Sequence, residues 1–245
     1  MRKLLRKIML ISAAFMVVIV FLVYNSPLAY KLPWYHSFLY SQSDYLELQS
    51  SIQNSQSRMV EIYTKNENKD EQEILLLNAS DSLIEYMDEA FNYWYGTPWA
   101  FNGTSQIPGK GSVACGYFVT TILRDVGFKV ERRAWAQLAS ESLIRKLIDK
   151  KHIRIFGNTE LDDFLVAVQD MGDGMYIVGL DTHIGFLLCT NGYVYFIHSS
   201  QRGIAGVRKE SAYRSKTLKK SKYRVVGKLS ADTKKAMKNW LRVKK

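Results

Sequence analysis

Cys115 is the residue of this 245-residue chain best suited to nucleophilic chemistry. It stands between a glycine-rich segment, GTPWAFNGTSQIPGKGS, and an apolar stripe at helical spacing, which predicts a place in the first turn of a helix. Backbone N–H groups at a helix start favour the thiolate, lower the pKa of the thiol and can hold an oxyanion. A buried structural thiol is the alternative, since free cysteine is among the most buried residue types.

Two of the four histidines, His183 and His198, flank Asn191-Gly192, a strong signal for a hairpin turn. With that turn, Gly185 faces His198, and His183 lies on the same face, diagonal to His198 at roughly 7 to 8 Å between backbones. The pair could be metal ligands, a coincidence of the core, or a base with the residue that orients it. Metal is the weakest of the three, because no four-ligand cluster at recognised spacings accompanies the pair.

An apolar segment near the N-terminus indicates the compartment. Seventeen uncharged residues run from Ile8 to Tyr24, after four Lys and Arg residues. The run exceeds the roughly 7 to 15 residues of a signal-peptide core and fits the roughly 17 to 25 of a membrane span. We therefore predict that residues 1–29 form an uncleaved anchor, with a cleaved signal segment as the alternative. In both cases the positive-inside rule places the rest of the chain outside the cytoplasm.

The remaining chain divides by composition into three parts. We predict a polar stalk or helical hairpin over residues 30–72, a compact domain over 73–230 and a basic C-terminal helix over 231–245. Helical patterns come first in the domain, near Ile74, after Cys115 and over 134–149 and 159–170. Strand patterns follow them, MYIVGL, HIGFLLC, YVYFIHS and YRVVGKL. Helices followed by an antiparallel sheet predict an α+β fold.

The net charge of +11 is concentrated in the last part of the chain. From Gln201 to Lys245 there are sixteen Lys and Arg residues against Glu210 and Asp232, which is +14, so the rest of the chain is slightly acidic. Such a tail attracts acidic lipid headgroups, anionic wall polymers or nucleic acid, or it only confers solubility. Charge alone does not choose among these, and we expect no specific nucleic-acid partner.

Two segments together resemble the NlpC family of papain-like cysteine peptidases, over roughly residues 90 to 200: WYGTPWAFNGTSQIPGKGSVACGYFVTTILRDVGF and HIGFLLCTNGYVYFIHSS. The family pattern is a loop with Tyr, Trp and Gly, a cysteine that opens a helix, a His-(Val/Ile)-Gly strand, and a second polar residue, usually His, on the next strand. The resemblance implies a papain-like fold with the cysteine packed on an antiparallel sheet. It makes Cys115 the nucleophile, His183 the base and His198 the orienting residue, with neither cofactor nor metal.

The same resemblance implies a substrate. Family members cut amide bonds in the peptide stems of bacterial peptidoglycan, which suits an exported, anchored protein. They commonly have Asp before the cysteine and Ser after it to recognise the amine end of a stem, whereas this chain has Ala114 and Gly116. We assign Gly116 with Trp99, Phe101 and Asn102 to substrate binding; the last three could instead pack under the loop.

Cys189 shares a strand face with His183 but lies six residues, about 20 Å, further along. That distance argues against a disulfide with Cys115 if Cys115 lies beside His183, so we interpret Cys189 as structural. Two other functions stay open: a module that binds wall glycopeptide or a polyanion without turnover, and a thiol-dependent acyltransferase acting on lipids.

Overall fold

The structure, a computed structural model, describes residues 41–201, 206–230 and 234–242. The predicted anchor, residues 30–40 of the predicted stalk and parts of the basic tail lie outside this range. The helices are α1 (Gln42–Lys65), α2 (Lys69–Trp94), α3 (Cys115–Asp125), α4 (Arg132–Ala136), α5 (Ser140–Leu147), α6 (Leu161–Gln169), α7 (Lys216–Lys220) and α8 (Lys234–Trp240). The strands are β1 (Ile153–Gly157), β2 (Gly174–Leu180), β3 (Ile184–Thr190), β4 (Tyr193–Ser200), β5 (Gly206–Ser211) and β6 (Tyr223–Lys228). Within the described residues, none of the helices combines the length and the apolar character that a membrane crossing requires.

The strands form one antiparallel sheet in the order β1-β6-β2-β3-β4-β5. Helices followed by this sheet confirm the α+β class. We did not predict the two edge strands, β1 and β5. β1 is only five residues long and buries none of its residues fully, and β5 carries three charged residues in GVRKES, so neither gives the signal of a longer half-buried strand.

The β3–β4 hairpin has the predicted register. Thr190 faces Tyr193 and Phe186 faces Ile197. The two turn residues, Asn191 and Gly192, have φ angles of 50° and 76°, as a type I′ turn requires. This turn fixes which residues of β3 and β4 share a face, and it therefore places both histidines on one side of the sheet.

Helices cover both faces of the sheet. On one face the aromatic rings of Phe91 in α2 and Phe118 in α3 pack on Phe186 of β3, with ring centroids 5.2 and 6.1 Å away. On the other face Phe164 of α6 and Leu218 of α7 pack with strand side chains of the opposite parity. Since α3 packs on the first face, its N-terminal residue Cys115 is held against the sheet.

The polar helix α1 packs as a hairpin with α2 and belongs to the helical layer. Its hydrophobic side chains Leu48 and Ile52 are buried. The buried hydroxyl of Tyr45 accepts a hydrogen bond from Trp94 Nε1 and donates one to Asp125, both at 2.9 Å. At the other end of the chain, Trp240 of α8 is fully buried. The core therefore extends across both predicted boundaries of the 73–230 domain.

Candidate active site

Cys115 is the first residue of α3, and Ala114 in the N-cap position provides no side-chain hydrogen bond to the helix. Its sulfur is within reach of hydrogen bonds from the backbone N–H groups of Ile184 and Gly116, which favour the thiolate. Burial nevertheless raises the pKa of Cys115, and these hydrogen bonds oppose the rise only in part. The expectation of a lowered pKa was therefore wrong, because desolvation outweighs the helix start.

A thiol with a raised pKa is neutral near pH 7, so its reactivity depends on a base that can remove the proton. Cys115 and Cys189 are both free. Cys115 and His183 line the same cleft, and the N–H that reaches the sulfur of Cys115 belongs to Ile184, the residue after His183. The thiol thus lies at the start of β3, where the candidate base is.

His183 occupies the turn between β2 and β3, which a 2.8 Å hydrogen bond from Leu180 N to His183 O closes. His183 Nε2 lies 2.8 Å from His198 Nδ1, and the two rings are nearly perpendicular. His198 is fully buried on β4 and stacks on Phe196 with ring centroids 3.9 Å apart. The structure therefore brings together the two histidines that the hairpin register predicts to meet.

Gly185 makes this approach possible. A Cβ atom at Gly185 would lie 2.9 Å from His198 Cβ and 2.7 Å from a ring carbon of Phe196. Real Cβ contacts are not that short, so a larger residue would displace His198 from its place beside His183. The glycine after His183 and Ile184 is thus required by packing.

We did not predict that Glu210 of β5 contacts this histidine pair. Its Oε1 lies 3.2 Å from His198 Nε2, and its Oε2 lies 3.3 Å from Arg208 Nε. A sequence signal did exist, since Glu210 is one of only two acidic residues from Gln201 to Lys245. This signal points to His198 only when the pairing of β5 with β4 is known, and the charged sequence of β5 does not show that pairing.

Burial and hydrogen bonding have opposite effects on the pKa values of Glu210 and His198. Burial alone would raise the pKa of Glu210, but the hydrogen bonds with His198 and Ser215 outweigh it, and the net shift is downward. Burial also lowers the pKa of His198, although Glu210 opposes the shift. Near pH 7 the pair is therefore a carboxylate beside a neutral imidazole.

A cleft of about 1240 Å³ opens over Cys115 and His183. The residues predicted to bind substrate, Trp99, Phe101, Asn102 and Gly116, all line it. The first three belong to the loop before α3, which is held by hydrogen bonds from Ala114 N to Gly103 O and from Val113 N to Pro98 O, each of 2.9 Å. The side chain of Phe101 is 82% exposed at the mouth of the cleft.

Comparisons with protein-family models, with curated proteins and with solved structures find no match for this chain. Among the described residues there is no group of three or more His, Cys, Asp or Glu side chains placed to hold a metal ion. The cleft presents the thiol of Cys115 and the imidazole of His183, and His183 is linked to the buried ring of His198.

Gly116 contributes only backbone to the cleft. A Cβ atom there would lie 2.4 Å from the carbonyl oxygen of Ala136 in α4. The serine of the NlpC pattern would therefore not fit at this position. The close contact between α3 and α4 holds the first turn of α3, and with it Cys115.

Asp181 holds the turn that carries His183. Its carboxylate accepts hydrogen bonds from Ser221 Oγ at 2.9 Å, Lys222 N at 2.8 Å and Tyr223 N at 3.1 Å. These bonds lower the pKa of Asp181, led by the one from Lys222 N. The β2–β3 turn is thereby tied to β6, which fixes the backbone position of His183.

Proposed function

We propose that the protein is a membrane-anchored, extracytoplasmic cysteine amidase or peptidase of papain-like fold that hydrolyses amide bonds in peptidoglycan stem peptides. The observation that carries the proposal is the 2.8 Å contact between His183 and the buried His198, beside a thiol at a helix start in an open cleft. The resemblance to the NlpC family and the predicted anchor support the substrate and the location.

The base acts first in the proposed reaction. His183 Nε2 is engaged with His198, so Nδ1 is the ring nitrogen that takes the proton from Cys115 Sγ. The thiolate attacks the carbonyl carbon of the amide, and the backbone N–H of Cys115 helps to hold the oxyanion. His183 then protonates the leaving amine as the C–N bond breaks, which leaves a thioester on Cys115.

Water completes the cycle. His183, neutral again, removes a proton from a water molecule that attacks the thioester carbonyl. The C–S bond breaks, the acid is released, and the proton returns to Cys115. Because burial raises the pKa of Cys115, His183 is needed in the first step as well as in the last.

The cleft differs from the usual stem-peptide site. Ala114 and Gly116 place no carboxylate and no hydroxyl beside Cys115. We therefore propose that substrate selection relies on the aromatic side chains of Trp99 and Phe101 and on the amide of Asn102. Such contacts favour an uncharged or apolar group on the amine side of the bond that is cleaved.

Release of new amines from purified peptidoglycan by the full-length protein in detergent tests the proposal. We expect turnover by the wild type, none by Cys115→Ala, and a loss of about 100-fold or more for His183→Ala. Cys189→Ala is the matched control and should retain turnover, since Cys189 is buried away from the cleft. Equal amine release by wild type and Cys115→Ala would refute the hydrolase.

A thiol-dependent acyltransferase on lipids is the second candidate. The exposed ring of Phe101 at the cleft mouth and the lack of a carboxylate at Ala114 favour it. Mass spectrometry of protein trapped with its acyl group on Cys115 separates the two, because a wall peptide supports the hydrolase and a fatty acyl chain supports the transferase.

A further inference from the structure

Glu210 is at the far end of a line of contacts that begins in the cleft. The line runs from His183 Nε2 to His198 Nδ1 over 2.8 Å and from His198 Nε2 to Glu210 Oε1 over 3.2 Å. We propose that Glu210 is a positioning residue that fixes the tautomers of both histidines and so directs the lone pair of His183 Nδ1 toward Cys115. This inference rests on the proposed function, since it explains how His183 acts as the base.

The argument starts from what each group can do in a hydrogen bond. A carboxylate only accepts, whereas a neutral imidazole has one N–H and one lone pair. The contact with Glu210 therefore places the hydrogen of His198 on Nε2, which leaves the lone pair on Nδ1. That lone pair must accept a hydrogen bond, so the hydrogen of His183 lies on Nε2.

The consequence reaches the cleft. With its hydrogen on Nε2, neutral His183 has its lone pair on Nδ1, where the proton of Cys115 must go. When that proton transfers, the S–H bond breaks, an N–H bond forms on Nδ1, and His183 becomes an imidazolium. Its Nε2–H continues to donate to His198, and no proton has to move to His198 or Glu210.

The surroundings keep Glu210 ionised and in place. Arg208 Nε lies 3.3 Å from Glu210 Oε2, and the side chain of Ser215 also donates to the carboxylate. Phe196 stacks on the ring of His198 and limits its rotation. Glu210 and Arg208 sit opposite Phe196 and His198 in the β4–β5 register, so the edge strand presents the carboxylate to the ring.

The opposite arrangement shows why the acceptor matters. A donor at position 210 would require the lone pair of His198 on Nε2 and its hydrogen on Nδ1. His183 Nε2 would then have to accept, and a hydrogen on Nδ1 would face the thiol. The amide of Glu210→Gln can donate in this way, and it removes the charge with little change of shape.

Nitrogen-15 NMR of histidine side chains in the full-length protein in detergent, labelled at histidine, tests the tautomers directly. We expect His198 and His183 both to carry hydrogen on Nε2 in the wild type at neutral pH. In Glu210→Gln we expect a mixture of tautomers, and in Glu210→Asp a partial return to the wild-type spectrum. Hydrogen on Nδ1 of His198 in the wild type would overturn the proposal, even if Glu210→Gln fails to fold.

The alkylation rate of Cys115 against pH, in a Cys189→Ala background, gives the functional readout. Glu210→Gln should slow the reaction near pH 7 by at least about tenfold, as loss of a partner that orients a base does. Glu89→Gln, the same change at an exposed position of α2, is the control and should leave the rate unchanged. An unchanged rate in a folded Glu210→Gln protein would overturn the proposal.

The two proposals fail separately. If the wild type releases no amine from peptidoglycan but shows the expected tautomers and the slowed alkylation, the substrate is wrong and the role of Glu210 stands. If peptidoglycan is hydrolysed and Glu210→Gln matches the wild type in rate and spectrum, the hydrolase stands and the role of Glu210 is refuted.

Discussion

Cys115 and Cys189 are both free thiols whose pKa is raised by burial, yet their surroundings differ. Cys189 is 1% exposed near the end of β3, and Asp173 lies 3.8 Å from its sulfur. Burial and this carboxylate raise the pKa of Cys189 to about 11. The sulfur of Cys115 instead lies near backbone N–H groups that favour the thiolate, and Cys115 lines the same cleft as His183.

The upward direction of the pKa shift is common to both thiols and therefore does not distinguish the candidate nucleophile from the structural residue. Neighbours do: a hydrogen-bond donor next to Cys115 stabilises a forming thiolate, whereas the carboxylate next to Cys189 opposes it. Access to solvent and to a proton acceptor is the second difference. Each can be tested by a change that should affect one cysteine and spare the other.

The largest expected difference is in alkylation by iodoacetamide near pH 7. Cys115 should react about 100-fold faster than Cys189 or more, because a buried thiol is reached only when the structure opens. Mass spectrometry of the labelled peptides over time measures both rates in one sample. Equal rates would remove the distinction between the two sites.

His183→Ala sharpens the same measurement. It should slow labelling of Cys115 near pH 7, since the neutral thiol loses its proton acceptor, and leave the rate at Cys189 unchanged. A slower rate at Cys189 as well would indicate a general change in stability, and no change at Cys115 would contradict the role of His183 as its base.

The next largest effect concerns the backbone contact that holds Cys115. Gly116→Ala should lower the free energy of unfolding by about 1–3 kcal/mol, the usual cost of overpacking, because its Cβ would meet the Ala136 carbonyl oxygen at 2.4 Å. Urea denaturation of the two proteins measures the change. Gly157→Ala, where a Cβ would meet nothing within 4 Å, should stay within about 0.5 kcal/mol of wild type.

Iodoacetamide labelling of Gly116→Ala tests whether this contact also affects the two cysteines differently. The variant should alter the alkylation rate of Cys115, whose helix turn must shift, more than that of Cys189. Destabilisation of Gly116→Ala no greater than that of Gly157→Ala would mean that the α3–α4 contact adapts at little cost.

The smallest effect is the pH dependence of stability at Cys189. Its pKa of about 11 in the folded protein lies above the ordinary value of 9.0, so the folded state binds the proton more tightly. This contribution is fully present below about pH 9 and is lost as pH rises through 11. Relative to the wild type, Cys189→Ala should lose less stability between pH 9 and 11, measured by urea denaturation.

Asp173→Asn is a second variant for the same measurement of stability against pH. Removing the carboxylate should lower the pKa of Cys189 and reduce the pH dependence as well, without affecting Cys115. A difference between wild type and Cys189→Ala that does not change over this pH range would contradict the raised pKa.

Local signals explain what the sequence could predict. The Asn191-Gly192 turn fixes the register of β3 and β4, and that register places His183 and His198 on one face. The helix start at Cys115 is equally local, since a glycine-rich loop precedes an apolar stripe. Each of these features depends on residues close together in sequence.

What could not be predicted depends on contacts between distant segments. Glu210 reaches His198 because β5 pairs with β4 at the sheet edge, and its own sequence does not show the pairing. The pKa of Cys115 is set mainly by burial, which only the packed fold defines. The polar composition of α1 likewise conceals five buried residues, Tyr45, Leu48, Ile52, Gln56 and Tyr63, which pack against the rest of the fold.

The hydrogen bonds of Tyr45 have a mechanical consequence if the chain is tethered at its N-terminus as predicted. A pull on the tether enters the described structure at Ser41, four residues before Tyr45. The Tyr45 hydroxyl links this end of α1 to Asp125, at the opposite end of α3 from Cys115. Tension on the tether would thus bear on the helix that begins at Cys115.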